Sequence, residues 1–141
     1  MKLNTVLAVN AVVTFAYGAG LMLLPDWTLG QFGVEASAAV VVLARLVGAA
    51  LIVFGVLALA ARGAGEAVAR QLMVPAFLTR DLLGFAVTLV GQLAKVTNST
   101  GWINVVIYGL FALAYGYFMW TMPSGRKAAP ARRSGGSKRR R

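Results

Sequence analysis

The sequence predicts an all-α polytopic membrane protein, an antiparallel bundle of four transmembrane helices followed by a disordered basic C-terminal tail. Three observations carry this expectation. Of 141 residues, 59% are hydrophobic and only 13% charged, against about 25% charged in soluble domains. The apolar residues collect in four runs, each close to the ~20 residues that cross a hydrocarbon layer of ~30 Å. Prolines then punctuate the runs at places where a missing backbone donor costs little.

The first run, Leu3 to Leu24, stops at Pro25. A lysine precedes it, and Ala16-Tyr17-Gly18 has the small-residue spacing of a signal cleavage site. The run nevertheless stays apolar through Leu24 and is long enough to span, so a retained helix is expected. The moderately apolar segment Trp27 to Val34 reads as lying on the outer membrane surface. The second run covers Ala38 to Ala61. The third covers Leu72 to Ala94, with Pro75 in its first turn. Asn98-Ser99-Thr100 between the third and fourth runs matches a glycosylation sequon. The fourth, Trp102 to Met122, is closed by Pro123. A four-helix domain over 1–123 and a tail over 124–141 follow, with helices at about 3–24, 38–61, 72–94 and 102–122.

Small residues recur seven apart in every run: Ala11 and Gly18, Gly48 and Gly55, Gly84 and Gly91, Gly109 and Gly116. A seven-residue period favours left-handed crossing, and small side chains let backbones approach where lipid supplies no hydrophobic drive. A tight bundle is expected. Leu43-Ala44-Arg45 through Gly55 also echoes Leu78-Thr79-Arg80 through Gly91, the pattern of a faint inverted repeat.

The formal charge is +10, yet eight of the fourteen Lys and Arg lie beyond residue 125. After Pro123 there is no apolar periodicity, and the like charges repel. Such a tail suits anionic lipid headgroups, each nearby cation contributing about 1 kcal/mol. Nucleic acid is disfavoured as a partner because no aromatic residue interleaves the charges to stack on bases. Lys2, Arg62, Arg70 and the tail fall on one side of the four spans, whereas Pro25 to Ser37 carries no Lys or Arg. Retention of positive charge inside places both termini in the cytoplasm. The expected location is the cell membrane, the inner membrane of a bacterium given the Ala-, Val- and Gly-rich makeup. Trp27 and Trp102 then mark the outer interface and Trp120 the inner one.

There is no Cys and no His, which removes disulfides, thiol redox chemistry, His-ligated haem and the usual zinc sites. No metal or cofactor is expected. Only Asp26, Glu35, Glu66 and Asp81 are carboxylates. The membrane interior offers no paired nucleophile and base, so an enzyme is not expected.

Arg45, Arg80 and Asp81 are the informative residues, because a charge at bilayer depth costs ~2.5–3.5 kcal/mol on insertion scales. In the third run, about eleven strong apolar residues return ~5 kcal/mol while Arg80 and Asp81 cost ~6 if central. That helix is marginal alone and should lean on its neighbours. By depth, Arg45 falls roughly 10 Å from the outer end of its helix, level with Tyr17 and Tyr108. Asp81 falls roughly 14 Å from the inner end of its helix, near Thr14 and Asn10, with Arg80 beside it. Two polar layers are expected. Successive helical side chains diverge by about 100°, so Arg80 and Asp81 are not expected to neutralise each other directly.

Leu23-Leu24-Pro25, Phe32-Gly33-Val34 and Ala44-Arg45-Leu46-Val47-Gly48 closing on Gly55 resemble the DoxX-like group of small bacterial four-helix membrane proteins. The likeness is best over the first two helices, where Arg45 matches an arginine that often opens the second helix. Some members of that group look like accessory subunits of membrane redox systems. The resemblance therefore implies a non-enzymatic accessory subunit, or a helix-docking module with a membrane-protein partner or a second copy. The absence of Cys and His departs from any direct redox role. The alternative is a small transporter or channel with a polar path through Arg45, Arg80 and Asp81. Small multidrug transporters, of similar size, carry an embedded glutamate in the first helix, and this chain has none.

Overall fold

The computed structural model describes residues 2–63 and 69–121. Helix α1 (Leu3–Leu23) is followed by a short α2 (Pro25–Gln31), by α3 (Ala38–Gly63), by α4 (Val74–Leu93) and by α5 (Trp102–Trp120). A π-helical turn at Ala69–Met73 leads into α4, and a 3-10 turn at Ser99–Gly101 leads into α5. No strand occurs among the described residues. Four stretches, Leu3–Leu23, Ala38–Gly63, Gln71–Leu93 and Ser99–Trp120, are long and apolar enough to cross a membrane. The expected spans hold, with ends shifted by a few residues. Glu66 and the tail 124–141 lie outside the described residues.

Local chemistry explains the boundaries. Pro25 sits at the first position of α2 with Asp26 in its first turn, where a missing N–H is harmless and an acid meets the positive helix end. Pro75 cannot fit an ordinary α-helical interior, because its ring meets the carbonyl four residues back. The wider π turn Ala69–Met73 lies immediately before it. Helix α4 ends where Lys95 takes up a left-handed conformation, φ 56°, and the amide of Val96 donates back to the carbonyl of Gly91 at 3.0 Å.

The bundle is not evenly tight. Close backbone approach is concentrated in two pairs, α1 with α3 and α4 with α5. Within the first pair, a Cβ added to either Gly18 or Gly48 would stand 2.8 Å from the other's carbonyl oxygen. One added to Gly55 would stand 3.0 Å from Thr14 Oγ1 and the Phe15 ring. In the second pair Gly84 lies under the ring of Tyr108, with 2.5 Å to the nearest ring atom from its notional Cβ. The seven-residue pattern thus marks real contacts in α1 and α3. It fails at Gly91, with nothing within 4 Å, and at Gly116, whose nearest neighbour is Leu78 at 4.0 Å.

Between the pairs the backbones stand apart and large side chains fill the gap. Phe77 of α4 stacks on Tyr115 of α5 at 5.4 Å and tilts against Phe54 of α3 at 6.2 Å. Leu7, Val74, Phe111 and Phe118 complete this buried cluster. A second tie joins the pairs at the end carrying the α1–α3 and α4–α5 connections. There the Asn98 backbone amide donates to Phe32 O at 2.9 Å and its side-chain amide donates to Gln31 O at 3.0 Å. Gly33, at φ 71°, lets the chain pass under it, since a Cβ would meet Asn98 at 3.3 Å. The sequon asparagine therefore acts here as a clamp between connections.

Valine at Gly18 or Gly48 should weaken the α1–α3 pair by about 1–3 kcal/mol through overpacking. Gly91→Ala should be neutral or stabilise by up to about 1 kcal/mol, because a helical glycine in open space gains from a methyl. Thermal unfolding of the detergent-solubilised protein reads both effects.

Candidate functional site

Polar side chains fall on one inward face of three helices. On α1 they are Asn10, Thr14 and Tyr17, at the i, i+4, i+7 spacing of one helical stripe. On α5 they are Asn104, Tyr108 and Tyr115, and on α4 Arg80 and Asp81. All meet in the seam between the two pairs, where the backbones leave room for them.

Asp81 is fully buried, at 0% exposure. Its partner is its own neighbour. Arg80 Nε donates to Asp81 Oδ1 at 2.9 Å and Nη2 approaches the same oxygen at 2.6 Å. This corrects the expectation that the two would not neutralise each other. The Cα–Cβ bonds do diverge, but the arginine has four rotatable bonds with which to fold back. In a low-dielectric interior the Coulomb gain from pairing far exceeds the cost of fixing those rotamers.

The rest of the seam solvates the pair. The Arg80 guanidinium lies over three rings, 5.1 Å from the centroid of Phe54, 5.7 Å from Tyr108 and 5.8 Å from Phe77. Desolvated cation–π contacts of this kind contribute about 2 kcal/mol or more. Arg80 Nη1 also points at Asn10 Oδ1, at a long 3.5 Å. Asn10 Nδ2 in turn donates to the Tyr115 hydroxyl at 2.9 Å, deep in the core. The network therefore runs from α4 to α1 and on to α5. Thr14 stays out of it, donating within its helix to Asn10 O at 2.8 Å and Ala11 O at 3.1 Å. Asp81 Oδ2 is buried with no hydrogen bond among the described residues, an acceptor the network leaves unused.

Beside Arg80 lies a small cavity of about 30 Å³, lined by Val13, Thr14, Tyr17, Leu51, Arg80, Asn104, Ile107 and Tyr108. At about 10–15 Å³ per water it has room for two or three water-sized groups. Toward the chain-terminus end of the bundle, Leu7, Phe77, Tyr115 and Phe118 pack as a closed core.

Of the residues singled out from the sequence, Asn10, Arg80 and Asp81 join one network, and Thr14, Tyr17 and Tyr108 line the cavity next to it. The two expected layers merge, because the Arg80 side chain reaches Tyr108. Arg45 is not among them. It is exposed on the outward face of α3, flanked by exposed Val42, Leu43, Leu46 and Val47. Sequence reasoning missed Tyr115 and Asn104. Both stand on the stripe of Tyr108, Tyr115 seven residues after it and Asn104 four before it, and that periodicity was the available signal.

Removing one member of the buried pair should cost about 3–5 kcal/mol, as Asp81→Leu or as Arg80→Met, because the other charge is left uncompensated. The double variant should recover most of that loss. Denaturant titration of the four proteins in detergent measures the cycle. In comparisons with known proteins, no family model, no curated protein and no solved structure matches this chain.

Proposed function

We propose that this chain is a non-enzymatic docking module of a membrane complex, in which α3 presents its outward face to a partner helix or to a second copy. The observation that carries this reading is the position of Arg45. It stands seven residues into a 26-residue apolar helix, about 10 Å below the helix end, on a face otherwise made of exposed Val and Leu. Facing lipid, such a charge costs ~2.5–3.5 kcal/mol. A carboxylate or carbonyl on an apposed helix offsets that cost and gives the interface its register.

The seam supports the same reading. Its charges are spent on each other, its cavity is small, and Arg45 stands exposed on the outward face of α3 rather than beside Arg80 and Asp81. The reading also accords with the DoxX-like resemblance and its implication of an accessory subunit in a bacterial cell membrane. In that setting the basic tail and both termini face the cytoplasm, and the tail rests on anionic headgroups.

Arg45→Leu should abolish co-purification of the partner, or convert an oligomer to a monomer, with the thermal stability of the isolated chain kept within about 0.5 kcal/mol. Size-exclusion chromatography with light scattering in mild detergent, with mass spectrometry of the bound proteins, reads the change. Unchanged association would show that Arg45 snorkels to the surface along its own stem and would remove the basis of this proposal.

A further inference from the structure

A second cavity lies against the first. It is an apolar groove of about 400 Å³ between α1 and α5, lined by Thr5, Val6, Val9, Val13, Ile107, Leu110, Phe111 and Ala114. Its volume is in the range of small-ligand sites. Val13 and Ile107 line both cavities, so groove and polar cavity adjoin across that pair of side chains. The groove follows α1 from Val13 back to Thr5, a length of about 12 Å. An apolar groove adjoining a compact polar cavity suits a single-chain amphiphile.

The polar end defines the head. The hydroxyls of Tyr17 and Tyr108 and the amide of Asn104 line the cavity, and none makes a hydrogen bond to another described residue. They are donors waiting for an oxygen acceptor, and the cavity admits two or three heavy atoms. That excludes a phosphodiester headgroup by size. Charge gives a second criterion. Arg80 is already matched by Asp81 at 2.6 Å, so an anionic head would leave the site with an unbalanced charge at bilayer depth. The head must be small, uncharged and oxygen-bearing.

We propose that the α1–α5 groove and the Tyr17–Asn104–Tyr108 cavity together bind an alcohol or carbonyl compound with an alkyl chain of about ten carbons, its chain between Val9 and Leu110 and its oxygen hydrogen-bonded beside Arg80. This site is separate from the Arg45 face and does not depend on it. Head size distinguishes it from the ordinary lipid shell, since the cavity admits only two or three heavy atoms.

The test uses the full chain in mild detergent, with native mass spectrometry as readout and three probes of equal chain length matched to the groove: decanol, methyl decanoate and decyl sulfate. Decanol and methyl decanoate should bind with one-to-one stoichiometry, and decyl sulfate at least about tenfold more weakly, the penalty of an unmatched buried charge. The double variant Tyr108→Phe/Asn104→Leu should weaken decanol binding by about fivefold or more through lost hydrogen bonds. Ala114→Phe should block it from the chain end. Thermal unfolding of each variant establishes that it is folded, and a second variant, Tyr17→Phe, covers the case in which Asn104→Leu fails to fold. Equal binding of all three probes, or binding indifferent to Tyr17, Asn104, Tyr108 and Ala114, would overturn the proposal and leave the groove as a lipid-contacting surface.

Discussion

The buried pair of Arg80 and Asp81 is the constraint around which the rest of the molecule is arranged. A helix that carries two charges near its middle has little insertion energy in reserve. It can stay in a hydrocarbon layer only if those charges are neutralised and hidden. Neutralisation comes from the pair itself, with Arg80 folded back onto Asp81. Hiding comes from the seam: rings of Phe54, Phe77 and Tyr108 around the guanidinium and Asn10 at its far side. Each of these comes from a different helix, so the cost carried by α4 becomes the reason that α1, α3 and α5 must be where they are.

This arrangement also accounts for the division of the bundle into pairs. Where Gly18 meets Gly48, backbones are close and side chains absent. The gain there is dispersion and weak contacts in a medium that offers no hydrophobic drive. Where the pairs face each other, the gap is wide enough for Tyr115, Phe77 and an arginine. One interface is built from small residues and the other from large ones, and a polar network can exist only in the second. Asn98 closes the far end of the same seam by holding the two connections together through Gln31 and Phe32. The seam is thereby pinned near its middle and at one end.

Much of this was legible in the amino-acid sequence. Length and hydropathy set the four spans, since the thickness of hydrocarbon leaves little freedom in helix length. Depth arithmetic placed Asn10, Thr14 and Asp81 at one height, because rise per residue is fixed. Rotation about the helix axis was harder to read. Arg45 shares a level with Tyr17 and Tyr108 but faces the other way, and level alone does not assign a face. The coupling of Arg80 to Asp81 was misjudged because backbone direction was taken as side-chain direction, which a long flexible arginine does not respect. Tyr115 stayed hidden because a tyrosine in an apolar run reads as core until its hydroxyl partner is known. Gly91 and Gly116 show that a repeat in sequence is not yet a contact.

The central claim is that the buried network holds the two helix pairs together without contributing to the cohesion of the α1–α3 pair. The chain has no native cysteine, so spin labels can be placed freely. Pulsed electron paramagnetic resonance between labels at Val12→Cys on α1 and Leu113→Cys on α5 reads the distance across the seam, and labels at Val12→Cys and Val56→Cys read it within the α1–α3 pair. On introducing Asp81→Leu, the account predicts a broadened and lengthened distribution across the seam and an unchanged one within the pair. Equal broadening of both, or no change in either, would contradict it.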